Sequence, residues 1–288
     1  MPITFPFTVE PAEFLERPNR FRILARLHAT GAIVAAHCPN PGRLRELLIP
    51  HYGVTVHLSR AGEETFDAES QSRGDAQSGE DRMLALSSLR NSASLRLRVE
   101  SAASMRSPRK TAYTLRLVAH PVDGTLISLD TALPNMLVWA ALQARRLPPF
   151  AALTELRREV NLPAAPGADH RSRCDFAGRE PDGHRCWIEV KSVSLVEDGV
   201  ALFPDAVTAR GRRHLLELAE RAQQGERAAA VFIVQRPDAR QVRAHQGADP
   251  AFAVALSAAA SAGVELHAWT TTITLTGAAL DQAIPMLP

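Results

Sequence analysis

Local strand pairing alone would bring Asp175, Glu189 and Lys191 into one cluster of two acids and a base. The turn-forming run Glu180-Pro181-Asp182-Gly183 predicts a hairpin between a strand over 173–177 and a strand over 187–193. Centring the turn on Asp182 sets Asp175 opposite Glu189, Arg173 opposite Lys191, Phe176 opposite Ile188 and Cys174 opposite Val190. Strand alternation then gives a core face of Cys174, Phe176, Ile188 and Val190 and a charged face of Arg173, Asp175, Glu189 and Lys191. Directly opposed Cβ atoms lie about 5 Å apart, and like charges there destabilise the pair. Asp175 against Glu189 therefore calls for positive charge between them. Two carboxylates converging beside one lysine suit a hard divalent cation, Mg²⁺ or Mn²⁺, because Mg²⁺ takes one or two carboxylates and completes its shell with water and phosphate oxygens. Such an ion would activate a water and clamp a phosphate, with the lysine steadying the nucleophile or the developing charge. The same four charges also fit a solvated strand pair in which Arg173 and Lys191 neutralise the acids without a metal, and the pairing leaves both readings open.

The elements that must hold this cluster read as α/β. A strand over 126–129 leads into a helix over 133–146, and a second helix is expected over 151–158. The two hairpin strands follow, then a long helix over 205–223 with Asp205 as its N-cap, a buried strand over 229–235, a helix over 250–262 and a strand over 264–270. The first third reads as β instead. Short β-rich segments over 21–27, 33–36 and 54–58 are separated by Gly31, by Pro39-Asn40-Pro41-Gly42 and by Gly53, and a further strand runs over 113–118. The boundary between the two regions falls near residue 122, giving domains over 1–122 and 123–288. Between the β segments, residues at about 60–105 read as an insertion, rich in Ser, Gly, Glu, Asp and Arg and poor in apolar periodicity, within which Leu84 to Leu97 fits either a short helix or a strand.

Composition narrows the function classes. The chain has 288 residues, 45% of them hydrophobic, enough for a core in each of two domains. Its longest strongly apolar run, Ala228 to Val234, is far short of the ~20 residues of a membrane helix, so no span is expected. Met1 to Glu10 lacks a basic start followed by an apolar stretch, so no signal peptide is expected. Three cysteines exclude a disulfide scaffold, and a reducing cytoplasm is the expected compartment. With 33 Lys+Arg against 31 Asp+Glu the net charge says little about partners; the run from Arg90 to Arg116, with seven basic residues and one acid, is a weak pointer to nucleic acid. Only two of the basic residues are lysine, Lys110 and Lys191. In so arginine-rich a chain, a retained lysine marks a place where a compact point charge is needed.

Further candidates surround the cluster. Arg210 and His214 share a helix face at i, i+4 and suit phosphate binding, or else form a solvated face with Leu215, Leu218 and Ala222 turned inward. The loop from His37 to Leu44 holds Asn40, Gly42 and Arg43, and its glycine and arginine suit close approach to a phosphate. Arg17, Arg20 and Arg22 extend a basic track. His170, Cys174, His184 and Cys186 are zinc-type ligands without a Cys-x-x-Cys pair, which favours buried cysteines and exposed histidines over a zinc site. Neither a Gly-x-Ser-x-Gly elbow nor a phosphate-cradling glycine loop is present.

Asp175 followed by Glu189-Val190-Lys191 on the next strand resembles the core motif of the PD-(D/E)XK nucleases. Longer blocks are more specific. Ser172 to Phe176, Ile188 to Leu195, Phe203 to Leu215 and His37 to Leu44, with Arg20-Phe21 ahead of the last, resemble the sugar fermentation stimulation protein (SfsA) family in an order spanning nearly the whole chain. The resemblance implies an N-terminal OB-like β-barrel followed by a restriction-endonuclease-like α/β domain, α+β overall. It implies a DNA-binding protein associated with regulation of sugar utilisation. Carried over by motif, Asp175 and Glu189 are the metal-binding acids, Lys191 the catalytic lysine and Glu159 an additional acid, with Arg210, His214, Arg43, Asn40 and Arg20 facing DNA. Two features depart from the pattern: the insertion, and Pro41 where threonine is expected. Two functions follow, a Mg²⁺-dependent DNA phosphodiesterase and a non-catalytic DNA-binding regulator on a nuclease fold. Adjacent strands and a neighbouring lysine do not suit a glycosidase pair flanking a bond.

Overall fold

The structure, a computed structural model, describes residues 2–61, 111–163 and 172–288. The expected insertion, the basic run up to Lys110 and His170 lie outside the described residues.

The first half supplies β1 (Ile3–Thr4), β2 (Glu10–Asn19), β3 (Arg22–Leu27), β4 (Ile33–His37), β5 (Thr55–Arg60), β6 (Tyr113–Ala119) and β7 (Leu126–Ser128). Strands β2 to β7 form one sheet in the order β4-β3-β2-β5-β6-β7, and a parallel pairing of Ala36 with Tyr113 joins β4 to β6. That pairing closes five strands into a barrel, the OB-like architecture expected. Alternation explains its interior: Phe14, Ile23, Ala25, Val56, Leu58 and Leu115 point inward and are buried.

The second half supplies α1 (Leu133–Gln143), a 3₁₀ turn at Pro148–Phe150, β8 (Thr154–Asn161), β9 (Arg173–Arg179), β10 (Arg185–Val193), β11 (Val196–Glu197), β12 (Val200–Phe203), α2 (Ala209–Gln223), β13 (Arg227–Val234), β14 (Gln241–Ala244), α3 (Pro250–Ser261), β15 (Glu265–Ile273), β16 (Gly277–Ile284) and β17 (Met286–Leu287). A seven-stranded mixed sheet runs β1-β16-β15-β13-β10-β9-β8, with β10, β13 and β15 parallel at its centre. Helices α2 and α3 cover one face, where Leu215, Leu218, Phe252 and Leu256 pack on Trp187 and Phe232. Helix α1 covers the other, where Val138, Ala141 and Leu142 pack on Phe176, Ile188 and Val231. A small sheet, β11-β12-β14-β17, flanks the layer. No helix among the described residues is long and apolar enough to cross a membrane.

Three expectations are corrected. The helix expected over 151–158 is strand β8: Pro148 and Pro149 spend the preceding residues on a 3₁₀ turn, and Thr154–Asn161 alternates exposed and half-buried positions along a sheet edge. The helix expected to reach residue 146 ends at Gln143, and Arg145 adopts a left-handed backbone at φ 53°. Helix α2 starts at Ala209 rather than Asp205. Its cap is Thr208, whose Oγ1 accepts from the Gly211 amide at 3.1 Å.

The chain crosses between the two sheets on either side of the barrel. Strand β1 pairs with β16 of the seven-stranded sheet, Ile3 opposite Ala278, before β2 enters the barrel. Strand β7 still pairs with β6, so the chain leaves the barrel sheet at Ser128. Phe5 and Phe7 stack at 5.0 Å and pack with Leu117, Leu133, Leu137 and Ile273. The buried Arg116 guanidinium lies 4.2 Å from the centre of the Phe7 ring, and its Nε donates to Ser59 Oγ at 2.8 Å.

Candidate active site

The hairpin folds in the register that a turn centred on Asp182 predicts: Arg179 pairs with Arg185, Gly178 with Cys186, Ala177 with Trp187 and Phe176 with Ile188. Beyond Ile188 the expected pairing stops and a side chain replaces the ladder, so the expected core face is broken: Phe176, Ile188 and Val190 pack on the α1 side, but Cys174 packs on the α2 side. Asp175 Oδ2 accepts from the Val190 amide at 2.7 Å, and its Oδ1 accepts from Asn135 Nδ2 at 2.8 Å. Glu189 Oε1 accepts from Lys191 Nζ at 2.7 Å and is also in contact with His214 Nδ1.

Of the expected charged face, Glu189 and Lys191 are buried, whereas Arg173 is exposed and turns to Glu159. Strand β10 lies inside the sheet beside the parallel strand β13, and α2 covers the side on which Glu189 and Lys191 project. Glu189 is 5% exposed, Lys191 8% and His214 3%. An expectation from local alternation therefore gives way to a strand with both faces covered, as parallel sheets require. The electrostatics follow from this burial. Burial and the neighbouring Glu189 charge push Asp175 up to about 6. Burial pushes Glu189 the same way, but Lys191 and His214 outweigh it and hold the carboxyl down at about 2.

The remaining candidates are distributed around the cluster. His214 turns inward to Glu189, whereas Arg210, one turn earlier on α2, is exposed. Glu159 adopts φ 51°, is exposed, and pairs with Arg173 at 3.3 Å rather than with Asp175 or Glu189. Cys174 packs on the α2 side of the sheet and Cys186 on the α1 side, and His184 is exposed, so these three do not converge. Asn135 is the residue that sequence reasoning missed. Its one signal is a polar side chain just after Pro134 in the first turn of α1, where backbone N–H groups have no intrahelical acceptor.

The barrel reaches the α/β half at Asp205, through the loop after β4. Arg17 binds the loop from beneath, donating to the carbonyls of Gly42 at 2.7 Å, Arg43 at 2.8 Å, Asn40 at 3.0 Å and Arg20 at 2.7 Å. It is therefore a strut of the loop and not part of a free basic track. Asn40 is buried and its Oδ1 accepts from the Gly42 amide at 2.9 Å. The Arg43 amide donates to Asp205 Oδ2 at 2.9 Å, which is the task Asp205 performs in place of capping α2. The side chains of Arg43 and Arg20 are exposed, with the Arg20 guanidinium 5.7 Å from the Phe21 ring centre.

Gly42 is required at this junction. A Cβ there would sit 2.0 Å from Asp205 Oδ2 and 2.9 Å from Asn40 Oδ1. Gly42→Ala should push the loop off Asp205 and lower unfolding stability by about 1 kcal/mol, the net loss expected for one hydrogen bond. Chemical denaturation checks this, and Gly42→Ala combined with Asp205→Ala should restore part of the loss. A Gly42→Ala protein as stable as the parent would show that the loop does not bear on Asp205.

The sugar fermentation stimulation protein RE domain model matches residues 132–277, and the model of the family's N-terminal OB domain matches 15–68. The chain is 39% identical over 268 residues to a sugar fermentation stimulation protein homolog of Moorella thermoacetica, covering 93% of this chain and 91% of the relative. This chain belongs to the sugar fermentation stimulation protein family. A second family member, from Symbiobacterium thermophilum, is 38% identical and covers 96% of this chain and 93% of its own length. The fold agrees with that of Pyrococcus furiosus SfsA, whose structure was solved in complex with Ca²⁺: the TM-score is 0.69 at 24% identity, over 100% of this chain and 98% of that one.

Proposed function

We propose that this SfsA family member binds DNA and hydrolyses phosphodiester bonds with Mg²⁺ or Mn²⁺. The observation that carries the reading is a pair of mutually repelling carboxylates, Asp175 and Glu189, on neighbouring strands, with Lys191 from the same strand as Glu189 and His214 from α2 both in contact with Glu189. The donor set fits a hard divalent ion. Both groups are carboxylates, the ligands a hard ion takes when water and substrate oxygens complete its shell. Asp175 and Glu189 would hold it; when bound, such an ion supplies an acidified water and a positive charge on a phosphoryl oxygen.

The rest of the work falls to the chain. The Val190 amide and Asn135 fix both oxygens of Asp175, so the carboxylate cannot turn away. Lys191 donates to Glu189 Oε1 and can accompany negative charge as it develops on a phosphate. The exposed Arg210 on α2, with Arg43 and Arg20 on the barrel, provides guanidinium groups for flanking phosphates. A second reading, a DNA-binding regulator that does not cut, is favoured by one feature: Lys191 and His214 already neutralise Glu189.

Cleavage of labelled single- and double-stranded DNA in Mg²⁺ or Mn²⁺ tests the proposal. Asp175→Asn and Lys191→Ala should each lower the cleavage rate by about a hundredfold or more, with DNA binding retained. Salt-sensitive binding without cleavage, unchanged in either variant, would leave the regulator.

A further inference from the structure

A second charged site lies at the other end of the same strands. A cavity of about 130 Å³ opens at the β8–β9 edge, with Glu155, Arg157, Arg179 and Arg185 around it and Ala177 and Gly178 among its lining. Three arginines and one glutamate line it. Arg179 is already set in place: its Nε donates to Glu155 Oε2 at 3.0 Å and its Nη1 to the Gly183 carbonyl at 2.9 Å. Arg185 rests on an aromatic surface, its guanidinium 5.3 Å from the Trp187 ring centre. Arg157 has no hydrogen-bond or ion-pair partner among the described residues, and neither does Arg185.

Like charges gathered around a concavity repel one another unless an anion neutralises them, and an excess of two positive charges matches a dianion. Guanidinium forks are the side chains best shaped for phosphate oxygens. The site is separate from the acid cluster. Arg185 precedes Glu189 by four residues, about 13 Å along a strand, and the intervening Trp187 is fully buried with its Nε1 donating to Glu226 at 2.8 Å. A phosphate held here is therefore not one under attack at Asp175 and Glu189.

We propose that the cavity between Arg157, Arg179 and Arg185 binds a phosphate monoester dianion. The dianion is either the terminal phosphate of a nucleic-acid strand or a free small-molecule monoester. This inference does not depend on cleavage at the acid cluster.

Titration calorimetry on the full chain at fixed chloride, in buffer with chelator, tests it with three probes: inorganic phosphate, ribose 5-phosphate, and a short oligonucleotide with and without a 5′-phosphate. Saturable one-to-one binding of inorganic phosphate is expected. Arg157→Gln with Arg185→Gln should weaken it about tenfold or more, while Asp175→Asn leaves it unchanged. Both arginines are exposed, so the double variant should fold, and a thermal melt confirms that. A 5′-phosphate that tightens oligonucleotide binding in the parent and not in the arginine variant assigns the site to strand ends. Ribose 5-phosphate binding without that gain assigns it to a free monoester. No saturable heat, or equal affinity in the double variant, overturns the proposal.

Discussion

Asp175→Asn should raise the stability of the metal-free protein by about 1–3 kcal/mol at neutral pH while removing any cleavage activity. Burial and Glu189 lift this carboxyl from an ordinary value near 3.8 to about 6, and each pKa unit corresponds to about 1.4 kcal/mol between the two protonation states. The folded state thus binds a proton that the unfolded state has already shed between about pH 4 and pH 6. Over that window the parent should lose stability as pH rises, and the variant should show a flatter profile. Asparagine keeps the shape: its Oδ1 can accept from the Val190 amide, and a flipped Asn135 amide can accept from its Nδ2. Urea unfolding from pH 4 to pH 7 in the presence of chelator gives the comparison. Added Mg²⁺ should then stabilise the parent and leave the variant where it was. An Asp175→Asn protein less stable than the parent would mean that the hydrogen bonds to Asp175 outweigh its repulsion from Glu189.

Lys191→Met should have the opposite effect on stability. It leaves the Glu189 carboxylate buried with His214 as its remaining partner, and breaking a buried pair on one side removes about 3–5 kcal/mol. Replacing both residues, Glu189→Met with Lys191→Met, should recover only part of that loss, because the two apolar side chains remove the buried charge but leave buried His214 without its partner. Lys191→Arg should not rescue the site. At 8% exposure the position has little space for a planar fork, and the lysine contact is a single point charge on Glu189 Oε1. Denaturation midpoints for the three proteins decide it; a single variant no less stable than the double one would place the pair's contribution elsewhere.

The short-range parts of this fold are legible in the sequence. The Asp182 turn fixes the hairpin register, and the register alone brings Asp175 towards Glu189. The sparseness of lysine among so many arginines singles out Lys191, which the structure buries against Glu189. What fails is whatever depends on the neighbouring layer. Alternation on 187–193 cannot distinguish a solvated charged face from one covered by a helix, because that depends on β13 and α2, which lie further along the chain. The segment 151–158 carries too few apolar residues to separate an edge strand from a surface helix, and Glu155 and Glu159 in left-handed backbone blur its period further. Asp205 has the chemistry of an N-cap, but its partner is an amide 162 residues earlier in the chain. Asn135 is invisible for the same reason: its role exists only once α1 lies across β9.

The pairing of β1 with β16 also sets an order of events during synthesis. Ile3 is synthesised long before its partner Ala278. Barrel strands β2 to β7 can close as soon as they emerge, since all their partners lie within the first half. The α/β sheet cannot, because its outer strand is made before the barrel and its neighbour long after. Until β16 arrives, Phe5 and Phe7 have only part of their apolar surroundings, lacking Ile273 and Ala278. During synthesis the barrel can therefore be complete while Phe5 and Phe7, beside it, still wait for the apolar partners that β15 and β16 supply.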